Sequence, residues 1–276
     1  MNIESPQEFH LVVDNDGQTA VELLAVASGL SKQKVKRTMK LGAVWLSSNI
    51  NPSKPRRIRR ASQALKLGEQ VHCYYNEAVL SAVALEPSLI SDENDYSVWD
   101  KPCGLFSQGS KWGDHCTISR TVETYFANKR AVFTVHRLDR ATRGLIVVAH
   151  SKRAVSELTK LFHDRKITKK YQATVHGDYT SRPQPDTVRT DIDDKAACSH
   201  FSCLEYDAKL NRSLIDVQIE TGRKHQIRKH LSSIGFPIVG DRLYGTQATE
   251  EDLHLTAYFL SFKCPITGEH KQFSLV

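Results

Sequence analysis

The 46 positions from Leu23 to Gly68 contain no acidic residue, although basic residues are frequent there. Eleven positive charges fall in this stretch: Lys32, Lys34, Lys36, Arg37, Lys40, Lys54, Arg56, Arg57, Arg59, Arg60 and Lys66. With no local acid to offset them, these side chains require a fold that keeps them in water or against a polyanion. A solvated surface is one interpretation. Contact with RNA or DNA is the one that the length of the run favours.

The same stretch has the pattern of a short helix with one basic side. Ser31 is placed to cap its start and Gly42 to end it. Val35, Thr38 and Met39 fall on one side of the helix, and most of its basic residues fall on the other. An apolar stretch at 43–46 follows, and residues 67–71 lead into a short strand. We expect RNA contacts from Lys32, Lys34, Lys36, Arg37, Lys40, Arg56, Arg57, Arg59 and Arg60.

Length and composition indicate two domains. The 276 residues are 40% hydrophobic and 25% charged, so ordinary cores can form without disulfides or metals. The net charge of +7 fits a polyanionic partner or simply a basic enzyme. We expect a small basic RNA-binding domain at 1–78, a linker at 79–95 and a larger domain at 96–276.

Segments for export or membrane insertion are not evident in the sequence. The first residues have no apolar signal-like stretch, and no run of about 18 apolar residues could span a membrane. The six cysteines show no C-x-x-C spacing. We therefore expect a cytoplasmic protein with reduced thiols and no membrane partner.

The larger region mixes helices and strands without a regular alternation. Residues 145–149 form a continuous apolar run, typical of a strand buried on both faces. Ser151 precedes a helical stripe that includes Leu158 and Leu161. Residues 171–175 and 215–219 alternate between apolar and polar, as strands with one buried face do. The prediction is an α+β fold with a mixed, largely antiparallel sheet flanked by helices, preceded by the small basic domain.

Three polar segments carry candidate chemical groups: residues 135–145, 162–171 and 221–230. Asp139 in the first segment precedes the buried strand, where a cleft can form, although an isolated Asp there is more often a turn or capping residue. The second segment is a basic helix end that leads into a strand. In the third, Gly222 would permit a sharp turn into a basic helix.

A metal or nucleotide site has little support in the sequence. His225 and His230 are five residues apart rather than four, and no acid lies between them. Glycine motifs for nucleotide phosphates and a serine nucleophile elbow are absent. We therefore expect no metal and no cofactor.

Taken in order, these segments resemble the RluA-type pseudouridine synthases over residues 96–275. The similarity runs through Asp100-Lys101-Pro102-Cys103-Gly104-Leu105, His136-Arg137-Leu138-Asp139, Thr142, Gly144, Arg165-Lys166, Lys169-Lys170-Tyr171, Thr221-Gly222-Arg223, His225-Gln226-Ile227-Arg228, His230, Pro237-Ile238-Val239-Gly240-Asp241, Tyr244-Gly245, Leu253-His254-Leu255 and Pro265-Ile266-Thr267-Gly268-Glu269. The basic N-terminal segment resembles the alpha-L RNA-binding module that is shared with a small-subunit ribosomal protein.

The resemblance implies an enzyme that isomerises uridines in RNA to pseudouridine. It implies that Asp139 is the catalytic carboxylate, that Tyr171 stacks on the flipped uracil and that Arg228 pairs with Asp139. It also implies substrate contacts from His136, Arg137, Arg140, Thr142, Lys170, Arg223, His225 and Gln226. Two positions depart from the family pattern: Arg143 stands where the family usually has Ser, and Gln108-Gly109 where a His is more usual.

The resemblance also bears on partners and on alternatives. Ribosomal RNA is favoured over transfer RNA because family members that act on large-subunit RNA often carry the basic module. We expect a monomer. One alternative is an inactive relative that only binds RNA, against which Asp139, Tyr171 and Arg228 argue together. Another is a hydrolase acting at an anomeric carbon, which would need a second carboxylate, for which Asp241 is available.

Overall fold

The structure is a computed structural model that describes residues 5–51, 53–245 and 250–275. It divides into two compact units. The N-terminal unit contains the described residues up to Ala84 together with Gln108–Thr121. The C-terminal unit contains Leu85–Ser107 and the described residues from Val122 onward.

The N-terminal unit is a four-stranded antiparallel sheet with helices packed against it. Its elements are β1 (Gln7–Val12), α1 (Ala20–Ser28), α2 (Lys32–Lys40), β2 (Val44–Ser47), β3 (Arg56–Arg57), β4 (Gln70–Tyr75) and α3 (Glu77–Leu80). The strand order is β1-β4-β2-β3. Apolar residues of the three helices and of the sheet form its core, among them Leu24, Met39, Leu46 and Val71.

Helix α2 has the predicted form. The Lys34 backbone N–H donates to Ser31 Oγ over 3.3 Å at its start, and Gly42 follows its end with a φ of +84°. Val35, Thr38 and Met39 are its buried residues, as the wheel pattern predicted. Burial of this face holds the basic face of α2 toward solvent.

The C-terminal unit is built on a ten-stranded sheet. Its elements are β5 (Ser88–Asp92), β6 (Tyr96–Lys101), the last residues of α4 (Ile118–Tyr125), β7 (Phe133–Thr134), β8 (Arg143–Ala149), α5 (Lys152–His163), β9 (Thr168–His176), β10 (Asp186–Arg189), β11 (Cys198–Asp207), β12 (Arg212–Ile219), α6 (Gln226–Ser233), β13 (Leu255–Lys263) and β14 (His270–Ser274). The main path is β10-β11-β12-β9-β13-β8-β6-β5, with β14 beside β13 and β7 beside β8. Only β13 and β8 pair in parallel among the described strands. The α+β, largely antiparallel fold is therefore confirmed.

Strand β8 is central and explains two sequence signals. Its residues from Gly144 to Ala149 are all buried, which is why the run lacks alternation. Gly144 has a φ of +120°, and a Cβ there would lie 2.3 Å from the Ala257 carbonyl oxygen. Only glycine allows β13 to approach β8 this closely.

Two parts of the chain differ from the predicted organisation. The linker predicted at 79–95 contains β5, which pairs antiparallel with β6. The five residues of β5 alternate between exposed and half-buried positions, so this segment has no continuous apolar run that would predict a strand. Residues 108–121, which the sequence assigned to the larger domain, pack in the N-terminal unit. There Asp114 forms ion pairs with Arg57 and Arg59, so an acid 55 residues downstream partly offsets the acid-free run.

Candidate active site

Asp139 lies in the loop that joins β7 to β8, and Ser107 holds this loop from one side. The Thr142 N–H donates to the Asp139 carbonyl over 3.1 Å, which closes the turn. The buried Ser107 hydroxyl donates to the Leu138 carbonyl over 2.6 Å and accepts from the Leu138 N–H over 3.1 Å. Both backbone groups of the residue before Asp139 are therefore fixed.

Lys101 and Gly104 hold the other side of the loop. The Gly104 N–H donates to the Arg140 carbonyl over 2.8 Å, and Lys101 Nζ donates to the same oxygen over 3.3 Å. Lys101 is fully buried, and its ammonium also donates to the carbonyls of Pro102 and Leu105. Burial lowers the pKa of Lys101 to about 8. The segment around 101–107 thus fixes the backbone on both sides of Asp139.

The Asp139 side chain lines an open cleft in the C-terminal unit. This side chain is 27% exposed, so water reaches it in the free protein. The residues lining the cleft are Arg137, Leu138, Asp139, Thr142, Tyr171, Ile219, Gly222, Arg223, His225, Gln226, Ile227, Arg228 and Leu255. Asp139 is the one acidic side chain in this set. The structure therefore brings all three predicted polar segments to one cleft.

Arg228 binds Asp241, and the expected direct pair between Arg228 and Asp139 is wrong. Arg228 Nε donates to Asp241 Oδ2 over 2.8 Å, and Nη2 donates to Oδ1 over 2.6 Å. Asp241 Oδ1 also accepts the backbone N–H groups of Leu243 and Tyr244. The turn after Asp241 thus orients its carboxylate for the fork of a guanidinium, whereas the Asp139 loop is held by hydrogen bonds to the backbone of Leu138, Asp139 and Arg140.

Asp139 and Arg228 still interact through space. Burial opposes the charge of Arg228, but the hydrogen bond to Asp241 and the attraction of Asp241 and Asp139 outweigh it and raise the pKa of Arg228. The ion pair of Arg228 with Asp241 is buried, with side chains 5% and 1% exposed. Arg228 is therefore held in a fixed position near the Asp139 carboxylate.

His225 lies close to the Asp139 side chain. Its Nε2 lies 3.8 Å from Asp139 Oδ1, and its Nδ1 lies 2.9 Å from the Tyr244 hydroxyl. Burial lowers the pKa of His225, although Asp139 opposes this change. His225 has a φ of +55°, so it makes the sharp entry into α6 that the sequence assigned to Gly222.

Tyr171 lies on β9 and lines the same cleft. Burial, and then the negative charge of Asp139, raise the pKa of Tyr171 above its usual range. The phenol therefore stays protonated at neutral pH and can donate a hydrogen bond. Its ring also packs against the apolar core of this part of the sheet.

Two residues predicted to contact substrate, His136 and Gln226, are also hydrogen-bonded within the protein. The His136 ring stacks on Phe162 at 4.1 Å, and its Nε2 accepts the Val147 N–H over 3.0 Å. Burial lowers the pKa of His136 to about 3, so the ring is neutral. The buried Gln226 amide donates to the Cys198 carbonyl and Ser199 Oγ, and accepts from Thr221 Oγ1 and the Arg223 N–H. All four of its hydrogen-bonding positions are thus used within the protein.

The other residues predicted to contact substrate differ in exposure. Arg137 is exposed at the cleft, and Arg223 lines it while donating to the Ala196 carbonyl. The exposed Arg140 packs its guanidinium over the Phe106 ring at 4.6 Å. Thr142 is buried, and Lys170 lies 4.0 Å from Asp216. Arg137 is thus the cation in this group with the most freedom to meet a substrate phosphate.

Several functional groups escaped the reasoning from the sequence. Lys101, Ser107 and Asp241 fix the site, but only Lys101 and Asp241 lay in matched segments, and neither was given this role. Arg143, the departure from the family pattern, forms an ion pair with Asp100 over 2.9 Å. This pair links the end of β6 to the start of the neighbouring strand β8.

The basic residues of the N-terminal unit divide into paired and unpaired groups. Arg37 pairs with Glu77, and Arg57 and Arg59 pair with Asp114. No ion pair with a described residue involves the lysines of α2, which are exposed: Lys32, Lys34, Lys36 and Lys40. Lys54, Arg56, Arg60 and Lys66 are likewise exposed and form no ion pair with another described residue, so the charge that is free for a polyanion lies on α2 and on the segment that follows it. Among the described residues, no helix is long and apolar enough to cross a membrane.

Comparison with known proteins identifies the family. The model of a family described as RNA pseudouridylate synthase matches residues 95–233. A Bacillus subtilis protein named uncharacterized RNA pseudouridine synthase YlyB is 32% identical over 241 residues, which cover 78% of each chain. An Aquifex aeolicus protein named uncharacterized RNA pseudouridine synthase is 29% identical over 308 residues, covering all of this chain and 94% of the other.

One relative has a more specific name, and solved structures share the fold. The Yersinia pestis protein named ribosomal large subunit pseudouridine synthase D is 33% identical over 171 residues, covering 57% of this chain and 52% of the other. The structure of human RNA pseudouridylate synthase domain containing 1 superposes with a TM-score of 0.59 at 22% identity, covering 71% of this chain and 85% of that one. Residues 95–233, which the family model matches, include the Asp139 loop, Tyr171 and Arg228. The chain therefore belongs to the RNA pseudouridylate synthase family and isomerises uridine to pseudouridine in RNA.

Proposed function

We propose that Asp139 is the catalytic carboxylate of this isomerisation. The observation that supports this is its position as the one acidic side chain, among the described residues, that lines the cleft shared with Tyr171 and Arg228. The reaction breaks the bond from ribose to the glycosidic nitrogen, turns the uracil and rejoins it through carbon 5. A carboxylate can attack the electron-poor sugar or remove a neighbouring ribose proton.

Tyr171 and Arg228 have separate roles in this proposal. Tyr171 offers a ring face for a flipped uracil and a protonated hydroxyl beside Asp139. Arg228 holds the cleft wall together with Asp241 and stabilises the Asp139 charge through space. Arg137 and Arg223 contact phosphates of the bound RNA.

Asp241 is a poor candidate for the second carboxylate of a hydrolase. It is 2% exposed, and its oxygens accept from Arg228, Leu243 and Tyr244. A general acid or base needs a free oxygen within reach of the substrate. The geometry therefore argues against Asp241 as a second reacting carboxylate.

The test is Asp139→Asn, which keeps the size of the side chain and removes its charge. Tritium release from RNA carrying carbon-5-labelled uridine should fall to background, while RNA binding survives. Asp194→Asn, at an exposed position of the same unit, is the matched control and should retain full turnover. Substantial turnover by Asp139→Asn would refute the assignment. Free uracil among the wild-type products would identify a hydrolase.

We further propose that the substrate is ribosomal RNA and that the N-terminal unit is an alpha-L-type RNA-binding module. The Yersinia pestis relative is named for the large ribosomal subunit, and α2 presents unpaired lysines on one face. Pseudouridine maps of total RNA from cells with and without the gene test this. Loss of a site confined to transfer RNA would contradict it.

A further inference from the structure

A cysteine, a histidine and a glutamate meet on the outer face of the sheet, away from the Asp139 cleft. Cys198 and His200 are two residues apart on β11 and therefore share one face. Glu220 directly follows β12, and its N–H donates to the Cys198 carbonyl over 3.2 Å, which places it beside Cys198. Among the described residues, this is a group of three potential metal ligands that no part of the isomerisation uses.

The distances between the three ligand atoms fit a tetrahedral metal centre. Cys198 Sγ lies 3.6 Å from His200 Nε2 and 3.4 Å from Glu220 Oε1. With metal bonds of about 2.3 Å to sulfur and 2.0 Å to nitrogen or oxygen, a tetrahedron has sulfur edges of about 3.5 Å. The third edge, from His200 Nε2 to Glu220 Oε1, is 2.8 Å, a hydrogen bond. It needs to open by only about 0.5 Å, which the exposed Glu220 side chain allows.

The surroundings fix the ligands in this arrangement. Thr187 Oγ1 lies 3.0 Å from His200 Nδ1, so the ring presents Nε2 to the cluster. A partner on the second ring nitrogen is what metal-binding histidines generally have. Cys198 is buried, and Glu220 is exposed, so the cluster is accessible from solvent on one side. Arg189, opposite Cys198 on β10, adds one positive charge that opposes a cation.

We propose that Cys198, His200 and Glu220 bind one divalent cation of the zinc class, with a water molecule in the fourth position. The thiol gives up its proton to solvent as the metal–sulfur bond forms, and thiolate and carboxylate together neutralise the two positive charges of the ion. Sulfur, imidazole and carboxylate ligands in a tetrahedral set select zinc over magnesium or calcium.

The site would tie together the strand ends that support the cleft. The Cys198 N–H donates to Thr221 Oγ1, and its carbonyl accepts from Gln226 Nε2. Thr221 and Gln226 flank Gly222 and Arg223, which line the cleft. A bound ion therefore stabilises the C-terminal unit at this edge and takes no part in the bond changes at uridine.

The test uses the full chain after treatment with a chelator, with Co²⁺ and Zn²⁺ as probes. Cobalt should bind with one equivalent and give a sulfur-to-cobalt charge-transfer band in the near ultraviolet. Free zinc at about 100 times the Kd of the site should raise the Tm of the protein by about 5 °C or more. Cys198→Ser should abolish the band, and Glu220→Gln, a conservative change at an exposed position, should weaken binding at least tenfold.

Cys203→Ser is the matched control, because Cys203 lies on the same strand and outside the cluster. It should keep the full cobalt band and the zinc-dependent rise in Tm. Absence of a cobalt–thiolate band in the wild type would overturn the proposal. The same band in Cys198→Ser would overturn it as well, because another thiol would then be the ligand. Since binding is measured without RNA, these outcomes are independent of whether Asp139 is catalytic.

Discussion

The buried pair of Arg228 and Asp241 gives the sharpest prediction about the site. Substitution Asp241→Asn keeps the shape of the side chain but removes its charge, and it turns one acceptor into a donor that faces the guanidinium. Arg228 is then buried without its direct counter-ion. Removing one partner of a buried, hydrogen-bonded pair costs about 3–5 kcal/mol of unfolding free energy. For a protein of this size the Tm should fall by about 6–20 °C.

A double-mutant cycle separates the pair from the individual side chains. Arg228→Met alone leaves Asp241 buried as an unpaired anion, whereas the double variant with Asp241→Asn leaves no unpaired charge. The double variant should therefore lose much less stability than the sum of the two single variants. Additive losses in urea unfolding would mean that the two side chains act independently, and the reasoning would be refuted.

The pH dependence of this prediction has a definite sign. Burial raises the pKa of Asp241, but the hydrogen bonds from Arg228 and from two backbone N–H groups outweigh it and lower the pKa. The unfolding free energy of wild type should therefore exceed that of Asp241→Asn by its full amount above pH about 4. This difference should shrink as the pH falls below that value. A difference between the two proteins that grew on acidification would contradict the pair.

Two further predictions concern other parts of the chain. Burial lowers the pKa of Lys101 to about 8, so the unfolded protein binds more protons than the folded protein between pH 8 and 10.5. As the pH rises through this range, the unfolding free energy of wild type, measured in urea, should increase by up to about 3 kcal/mol relative to that of Lys101→Met. A difference between the two proteins that did not change with pH would contradict the burial of the ammonium. Replacing Lys34 and Lys36 by Gln should lower the slope of log K against log salt for RNA binding by about 1.4–1.8, at roughly 0.7–0.9 per phosphate contact. Lys209→Gln, exposed in the C-terminal unit, should leave the slope unchanged, and equal slopes for all three proteins would show that α2 is only a solvated face.

Local features of the fold could be predicted from the sequence because they depend on neighbouring residues. The cap at Ser31 and the buried face of α2 need only the spacing of a few side chains. The same holds for β8 and for α5, which begins after Ser151, whose Oγ accepts the Ala154 N–H. The resemblance to the RluA-type synthases implied that Asp139, Tyr171 and Arg228 share one site, and all three line one cleft.

Pairing choices could not be predicted, because they depend on residues far apart in the chain. Asp139 and Asp241 are both acids within matched segments, and nothing in their spacing tells which one faces Arg228. The turn that presents two backbone N–H groups to Asp241 decides the choice, and it exists only in the folded chain. Asp114 is a similar case, since its partners Arg57 and Arg59 precede it by more than 50 residues.

For the proposed catalytic role of Asp139, the pairing of Arg228 with Asp241 determines how the charge of the Asp139 carboxylate is stabilised. An arginine whose charge is already matched exerts a weaker net field on a neighbouring carboxylate than a free arginine would. In the free protein, water at the partly exposed side chain supplies the rest of the stabilisation. A uracil that enters the cleft displaces this water and lowers the local dielectric constant. The electrostatic interactions of Asp139 with Arg228 and with the surrounding dipoles therefore become stronger as the substrate binds. In the proposed mechanism Asp139 therefore meets the sugar with reduced solvation, because hydrogen bonds from Lys101, Ser107 and Gly104 hold the backbone on both sides of it.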